Sequence, residues 1–116
     1  MDGTTIDKNE QHISSGVLIP KIIKEIIIIL GEHGGSLTID KCEAIIREKY
    51  KSESSTPWYE KNLKSGNNNS RWRHSIVGEA RNRAKKLGYL KKVGESGIGI
   101  WELTDEGTKY YQELIK

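Results

Sequence analysis

The 116-residue sequence is short of several features on which small proteins often depend. It has one cysteine, Cys42, so no disulfide can form within the chain, and three scattered histidines add no zinc-ligand spacing. We therefore expect no metal and no other cofactor. The longest pure apolar run, Ile26–Leu30, is far shorter than the ~20 residues of a membrane span. The first residues, MDGTTIDKNE, lack the apolar segment of a signal peptide. These absences predict a soluble, cytoplasmic protein with no membrane partner.

The net charge is also small, at +3, but it is unevenly distributed. From Lys64 to Lys92, nine residues are basic and one, Glu79, is acidic, so this quarter of the chain carries +8 and leaves −5 for the rest. Such segregation is typical of a face that binds nucleic acid, although a charge run can also be only a solvated surface.

The first half of the chain reads as a tail followed by two helices. Residues 1–16 are polar and predict a flexible tail, and residues 17–116 predict one domain. Helical spacing of isoleucines predicts a helix over Val17–Glu32, although consecutive β-branched residues leave a strand open. Its apolar stripe is wide, so the helix is either central to the fold or meets a partner, for example in a homodimer through Ile22–Leu30. A short extended piece, Ser36–Ile39, leads into a helix that ends near Tyr50 and is capped by Thr38 or Asp40.

The second half reads as a helix, a hairpin and a helix. After a long polar connection over 51–69, Ser70 is expected to cap a helix that ends at Gly88. Strands are predicted at Tyr89–Val93 and Ile100–Leu103, around the glycine-rich turn GESGIG. Thr104 is expected to cap a last helix that ends near Ile115. The element order predicts an α+β fold of the winged helix-turn-helix class, with a three-helix core, a short first strand, a β-hairpin wing and a C-terminal helix.

The helix over residues 70–88 divides into two faces at about 100° per residue. Its apolar residues share one arc, which comprises Trp72, Ile76, Val77, Ala80, Ala84 and Leu87. The opposite arc has no acidic residue and comprises Arg71, His74, Ser75, Gly78, Asn82 and Lys85, with Arg81 on its flank. Small Ser75 and Gly78 would let the backbone approach base edges, while Arg71 and Asn82 have bidentate hydrogen-bonding groups. We therefore expect this helix to lie in a DNA major groove.

Other residues are candidates for contacts beside this helix. Lys91 and Lys92 lead into the predicted wing, residues 91–99, and are expected to meet phosphates or the minor groove. Asn68 and Asn69 precede the helix and are expected to donate to phosphates near its N-terminus. Trp72 and Trp101 are predicted to be core residues. Trp58 and Tyr59, in the polar connection, remain the candidates for an aromatic contact with a base.

The stretch from Pro20 to Leu114 resembles the amino-terminal winged-helix domain of Mrr-type restriction proteins. The most specific pieces are SRWRHSIVGEARNRAKKLGYL and GIWELTDEG, supported by GEHGGSLTIDKCEAI. The resemblance implies a DNA-binding targeting module, usually attached to a nuclease that cleaves modified DNA, with a methylated base as a candidate target. Members of that family often have a second aromatic residue where this chain has Ile76-Val77-Gly78, so the details of base reading do not carry over.

The chain itself is not expected to be an enzyme. It lacks the acidic pair and lysine of a restriction-type nuclease core on adjacent strands, and it has no P-loop, nucleophile elbow or dinucleotide fingerprint. Three functions stay open. The first is a double-stranded DNA-binding targeting module of a restriction or defence system, with a nuclease domain on the same or another chain. The second is a stand-alone dimeric transcription regulator of the same fold, and the third is a winged helix that binds protein.

Overall fold

The first helix, α1 (Ser15–Glu32), is central to the computed structural model, which describes residues 13–63, 70–92 and 94–116. It packs against the second helix, the basic helix and the last helix. Seven of its side chains are buried: Leu18, Ile19, Ile22, Ile26, Ile27, Ile29 and Leu30. The predicted helix is confirmed, but it begins within the predicted tail. A homodimer through Ile22–Leu30 loses its basis, since most of these side chains are already covered within the chain.

Two antiparallel strands make up the sheet. β1 (Ser36–Thr38) pairs with β2 (Ile100–Glu102), and Leu37 lies opposite Trp101. The prediction of a strand over Tyr89–Val93 is wrong for its described residues, Tyr89–Lys92. In place of a strand they form one isolated bridge, between Leu90 and Leu103. Val93 itself lies outside the described residues. The fold is therefore α+β, mostly helical, with a small two-stranded sheet.

The second helix, α2 (Ile39–Lys49), follows β1 directly. Thr38 caps it by accepting a hydrogen bond from the Lys41 backbone N–H at 3.3 Å, so of the two predicted caps Thr38 is correct and Asp40 is not. Two short helices, α3 (Lys51–Ser54) and α4 (Pro57–Glu60), occupy the first part of the predicted polar connection.

The basic helix over residues 72–86 has two parts. Trp72–Val77 forms a π-helical segment, and α5 (Gly78–Lys86) continues from it as an ordinary α-helix. Ser70 caps its start, since the Ser70 hydroxyl accepts from the Arg73 backbone N–H at 3.2 Å. At the other end Leu87 is 59% exposed, so its predicted place on the apolar arc is wrong.

The last helix, α6 (Asp105–Leu114), closes the core against α1. Thr104 caps it as predicted, because its side chain accepts from the Gly107 N–H at 3.0 Å. Gly31 of α1 lies under the ring of Tyr111, where a Cβ atom would come within 2.3 Å of ring carbons. None of the helices in the described part of the chain is long and apolar enough to cross a membrane.

Candidate nucleic-acid interface

The residues of the predicted polar arc line two separate depressions, and a π-helical segment lies among them. At its end the Gly78 N–H donates to the Arg73 carbonyl oxygen, five residues earlier. Such a turn holds more residues than the ~3.6 of an α-helix, so the angular positions before Gly78 shift relative to those after it. Arg71 and Ser75 line one depression, the first face, whereas His74, Gly78 and Asn82 line another, the second face. The prediction of a single arc is wrong.

The first face places Arg71 on an aromatic ring. Its guanidinium carbon lies 3.6 Å from the centroid of the Trp58 ring, within the range of a cation–π interaction. Ser75 and Tyr59 line the same depression, which has a volume of about 370 Å³. Tyr59 is buried and packs edge-on against Trp72, with ring centroids 5.5 Å apart. Of the two aromatic candidates, Trp58 is thus the one that orients a predicted binding residue, whereas Tyr59 belongs to the core.

The second face borders a groove of about 430 Å³, called here the α2 groove. Helix 72–86 forms one wall, and α2 and β2 form the other. Its lining includes Ile39, Glu43, His74, Gly78, Arg81, Asn82 and Trp101. Trp72 and Trp101 are both buried in the core, as predicted, and Trp101 also reaches the floor of this groove.

Arg81 is a predicted binding residue, but its side chain is buried in the structure. Only 5% of it is exposed, so its predicted place on the solvent flank is wrong. Burial lowers the pKa of its guanidinium from the ordinary value. Its Nη2 donates to the Lys91 carbonyl oxygen at 3.3 Å, while its Nε has no hydrogen-bond partner. The Arg81 guanidinium therefore contacts the backbone at Lys91, where the predicted hairpin begins, and does not face a phosphate at the surface.

Three lysines meet where helix 72–86 ends and the hairpin begins. Lys85, Lys91 and Lys92 line a cleft of about 450 Å³ with Glu95. The Lys91 ammonium lies 3.1 Å from Glu102, and the Lys92 backbone N–H donates to the Glu95 carboxylate at 2.9 Å. The cleft has the geometry and the charge to hold a phosphate group.

An ionic network that the sequence reasoning missed holds helix 72–86 on α2. Glu43 is 4% exposed and lies 2.9 Å from the Arg47 guanidinium and 3.5 Å from that of Arg73. Arg73 also pairs with Asp40 at 2.8 Å, and Arg47 donates to the Ser70 hydroxyl at 3.0 Å. Glu43 and Arg47 are an i,i+4 pair within α2, whereas Ser70 and Arg73 are too far in sequence from their partners on α2 to give a local signal.

Neither the backbone angles nor the packing inside the protein require glycine at position 78. Its φ of −63° is ordinary helical backbone, and an added Cβ would meet only the Arg73 carbonyl oxygen, at 3.4 Å.

The other predicted residues, Asn68 and Asn69, lie outside the described residues. Within the described ranges, no group of three or more His, Cys, Asp or Glu side chains could hold a metal ion.

Because comparisons with known proteins found no match, the interpretation is based on this geometry. No protein-family model, no curated protein and no solved structure matches the chain significantly.

Proposed function

We propose that this chain is a winged-helix module that binds double-stranded DNA. The order of helix, strand, helix, basic helix, strand and helix supports that fold, as do the pairing of β1 with β2 and the single bridge from Leu90 to Leu103 between the two arms of the predicted hairpin. In this arrangement helix 72–86 is the recognition helix, and the chain from Lys91 to Gly99 is the wing.

One observation carries the proposal: an acid-free stripe runs along the recognition helix to the lysine cleft. His74, Gly78 and Asn82 line the same groove, and Lys85 follows Asn82 three residues later on α5, on the same side of that helix. His74 and Asn82 are exposed, and the stripe ends beside Lys91 and Lys92. Such a line of cationic, amide-bearing and small residues suits the major groove with a flanking phosphate.

Each part of the stripe has a distinct expected role. Gly78 lets the helix backbone come close to base edges, and Asn82 has the bidentate amide that pairs with adenine. Lys85, Lys91 and Lys92 neutralise phosphates. Arg71, oriented by Trp58, is a second candidate for a guanine or a phosphate at the start of the helix.

The resemblance to Mrr-type restriction proteins favours a targeting module over a general regulator. On this proposal the chain brings a nuclease domain, on the same or another chain, to DNA with a modified base. The chain itself contributes binding and no catalytic step.

The experiment compares two lysines in a fluorescence-anisotropy titration of a labelled duplex. Lys85→Ala should weaken binding about tenfold at low salt, because it removes a cation from the cleft. Lys109→Ala, on α6, is the matched control: Lys109 is exposed and forms a surface pair with Glu106, so its loss should leave the affinity nearly unchanged. Equal losses from the two variants would contradict the proposed face.

A second titration tests the modified-base part of the proposal. The protein is titrated with matched duplexes that carry unmodified bases, N6-methyladenine, 5-methylcytosine or 5-hydroxymethylcytosine. Tighter binding to one modified duplex supports a restriction-type module, and equal affinity for all four supports an ordinary DNA-binding regulator.

A further inference from the structure

We propose that the α2 groove is a binding pocket for a single nucleobase. The proposal extends the proposed function, since the groove borders the same recognition helix, and a duplex is one source of the base. It rests on three observations: the size of the groove, its mixed walls, and the unpaired buried guanidinium of Arg81.

The groove has the size and the apolar surface that a planar ring needs. Its volume of about 430 Å³ is within the usual range for small-molecule sites, roughly 300–1,000 Å³. Trp101, Ile39 and Val77 give it an aromatic and aliphatic lining. Gly78 leaves its side of the groove open, because nothing but the Arg73 carbonyl oxygen lies within contact distance of a Cβ there.

One cation in the groove has no carboxylate partner among the described residues. Glu43 is paired with Arg47 and Arg73, and Glu79 is paired with Arg83 at 2.9 Å. Arg81, by contrast, pairs with no carboxylate among the described residues, and its buried Nε makes no hydrogen bond. A buried donor without an acceptor destabilises the folded protein, and a buried cation does so more strongly.

A nucleobase supplies what this lining lacks. Its ring edge has acceptor atoms, such as N7 and O6 of guanine, that match a guanidinium, and its faces can pack on Trp101. Asn82 and His74 at the rim add amide and imidazole groups that can hydrogen-bond to the other edge. Inorganic phosphate would pair with Arg81 but would leave the apolar walls unused.

The base can come from two sources with the same chemistry. One is a base rotated out of the duplex that the recognition helix holds, which costs a few kcal/mol of stacking and pairing and least at a mismatch. The other is a free nucleotide. The two sources predict different results with duplexes.

The experiment has a duplex arm and a nucleotide arm. Short duplexes with one mismatch at successive positions are titrated against the matched duplex, and nucleoside monophosphates are titrated while the Trp101 indole N–H is followed by NMR. A base taken from the duplex predicts about tenfold tighter binding at one mismatch position. A free nucleotide predicts a saturable shift of the Trp101 signal without a mismatch preference.

Variants assign these signals to the groove. Asn82→Ala should remove the mismatch preference or weaken nucleotide binding about tenfold, because Asn82 lines the groove. Gln112→Ala is the matched amide control: Gln112 is exposed on α6, so its loss should change neither signal. Arg81→Met should abolish both signals yet melt at the same or a higher temperature, because it removes an unpaired buried charge. A purely structural Arg81 predicts a lower melting temperature instead.

The proposed function and this inference fail separately. If the protein binds duplex in a salt-dependent manner but shows neither a mismatch preference nor a Trp101 shift, the nucleobase pocket is refuted and DNA binding stands. If it binds no duplex but Trp101 responds to nucleotides, the pocket stands and the proposed function does not.

Discussion

At the scale of single residues, two glycines inside helices have opposite surroundings. Gly31 faces the ring of Tyr111 and leaves no space for a methyl group, so it is needed for α1 to pack on α6. Gly78 borders an open groove and has ordinary helical angles, so the fold gains nothing from its missing side chain. The contrast separates a glycine required for packing from one that keeps a surface open.

The two alanine variants should therefore change stability in opposite directions. Gly78→Ala should raise the free energy of unfolding by about 1 kcal/mol, the usual helical gain over glycine. Gly31→Ala should lower it by about 2 kcal/mol, since the new methyl group overpacks the α1–α6 contact. Urea denaturation measures both. A loss of stability in Gly78→Ala would show that the fold requires this glycine.

Cys42 should be chemically inert in the folded protein. It is fully buried on α2, and burial, assisted by the neighbouring Glu43 carboxylate, raises the pKa of its thiol to about 12. A thiol with that pKa stays protonated at pH 8, so a disulfide reagent such as DTNB should not react with it. The same reagent should react rapidly in unfolding concentrations of guanidinium. Rapid reaction without denaturant would contradict the packing of α2.

At the scale of elements, the contact between α2 and helix 72–86 sets the position of the candidate site. The Glu43 carboxylate is buried and pairs with the guanidinium groups of Arg47 and Arg73. Arg47 also donates a hydrogen bond to the hydroxyl of Ser70, which caps helix 72–86. The network joins the start of helix 72–86 to α2, so it fixes one wall of the α2 groove relative to the other.

Removing Glu43 should cost more than removing a surface carboxylate. Glu43→Ala should lower the free energy of unfolding by about 2 kcal/mol, because it deletes charge-assisted hydrogen bonds from a buried acceptor. Glu79→Ala is the control: Glu79 forms an exposed pair with Arg83, which is worth less than about 0.5 kcal/mol. Denaturation curves compare the two variants. Equal effects would show that the network does not hold the helix.

The sequence predicts the elements better than it predicts the groove. Apolar spacing identifies α1, and Thr104 and Ser70 are recognisable caps, because these signals are local. The π-helical segment changes the hydrogen-bond step from four residues to five, which no apolar pattern shows, so a spacing of 100° per residue does not give the angular positions over Trp72–Val77. Arg81 Nη2 donates to the carbonyl oxygen of Lys91, ten residues later, and no pattern in the sequence predicts this contact or the burial of Arg81.

At the scale of the whole molecule, the small net charge of +3 hides an uneven distribution of charge along the chain. The chain outside Lys64–Lys92 sums to −5, whereas most cations between Ser70 and Lys92 lie on helix 72–86 or line the lysine cleft. Part of the positive charge is not free at the surface, since Arg73 pairs with Asp40 and Glu43 and Arg81 is buried. The proposed interface is therefore narrower than the charge count suggests, and it centres on His74, Asn82 and Lys85.

The most direct test of DNA binding is the salt dependence of the affinity for duplex DNA. Lys85, Lys91 and Lys92 together should neutralise about three phosphates, so log K should fall with log salt at a slope of about −2.7, a loss of roughly 40-fold for a fourfold rise in salt. Anisotropy titrations at several salt concentrations give this slope. A slope of about −2.7 is the predicted result, and an affinity that is undetectable at low salt or independent of salt would contradict the account.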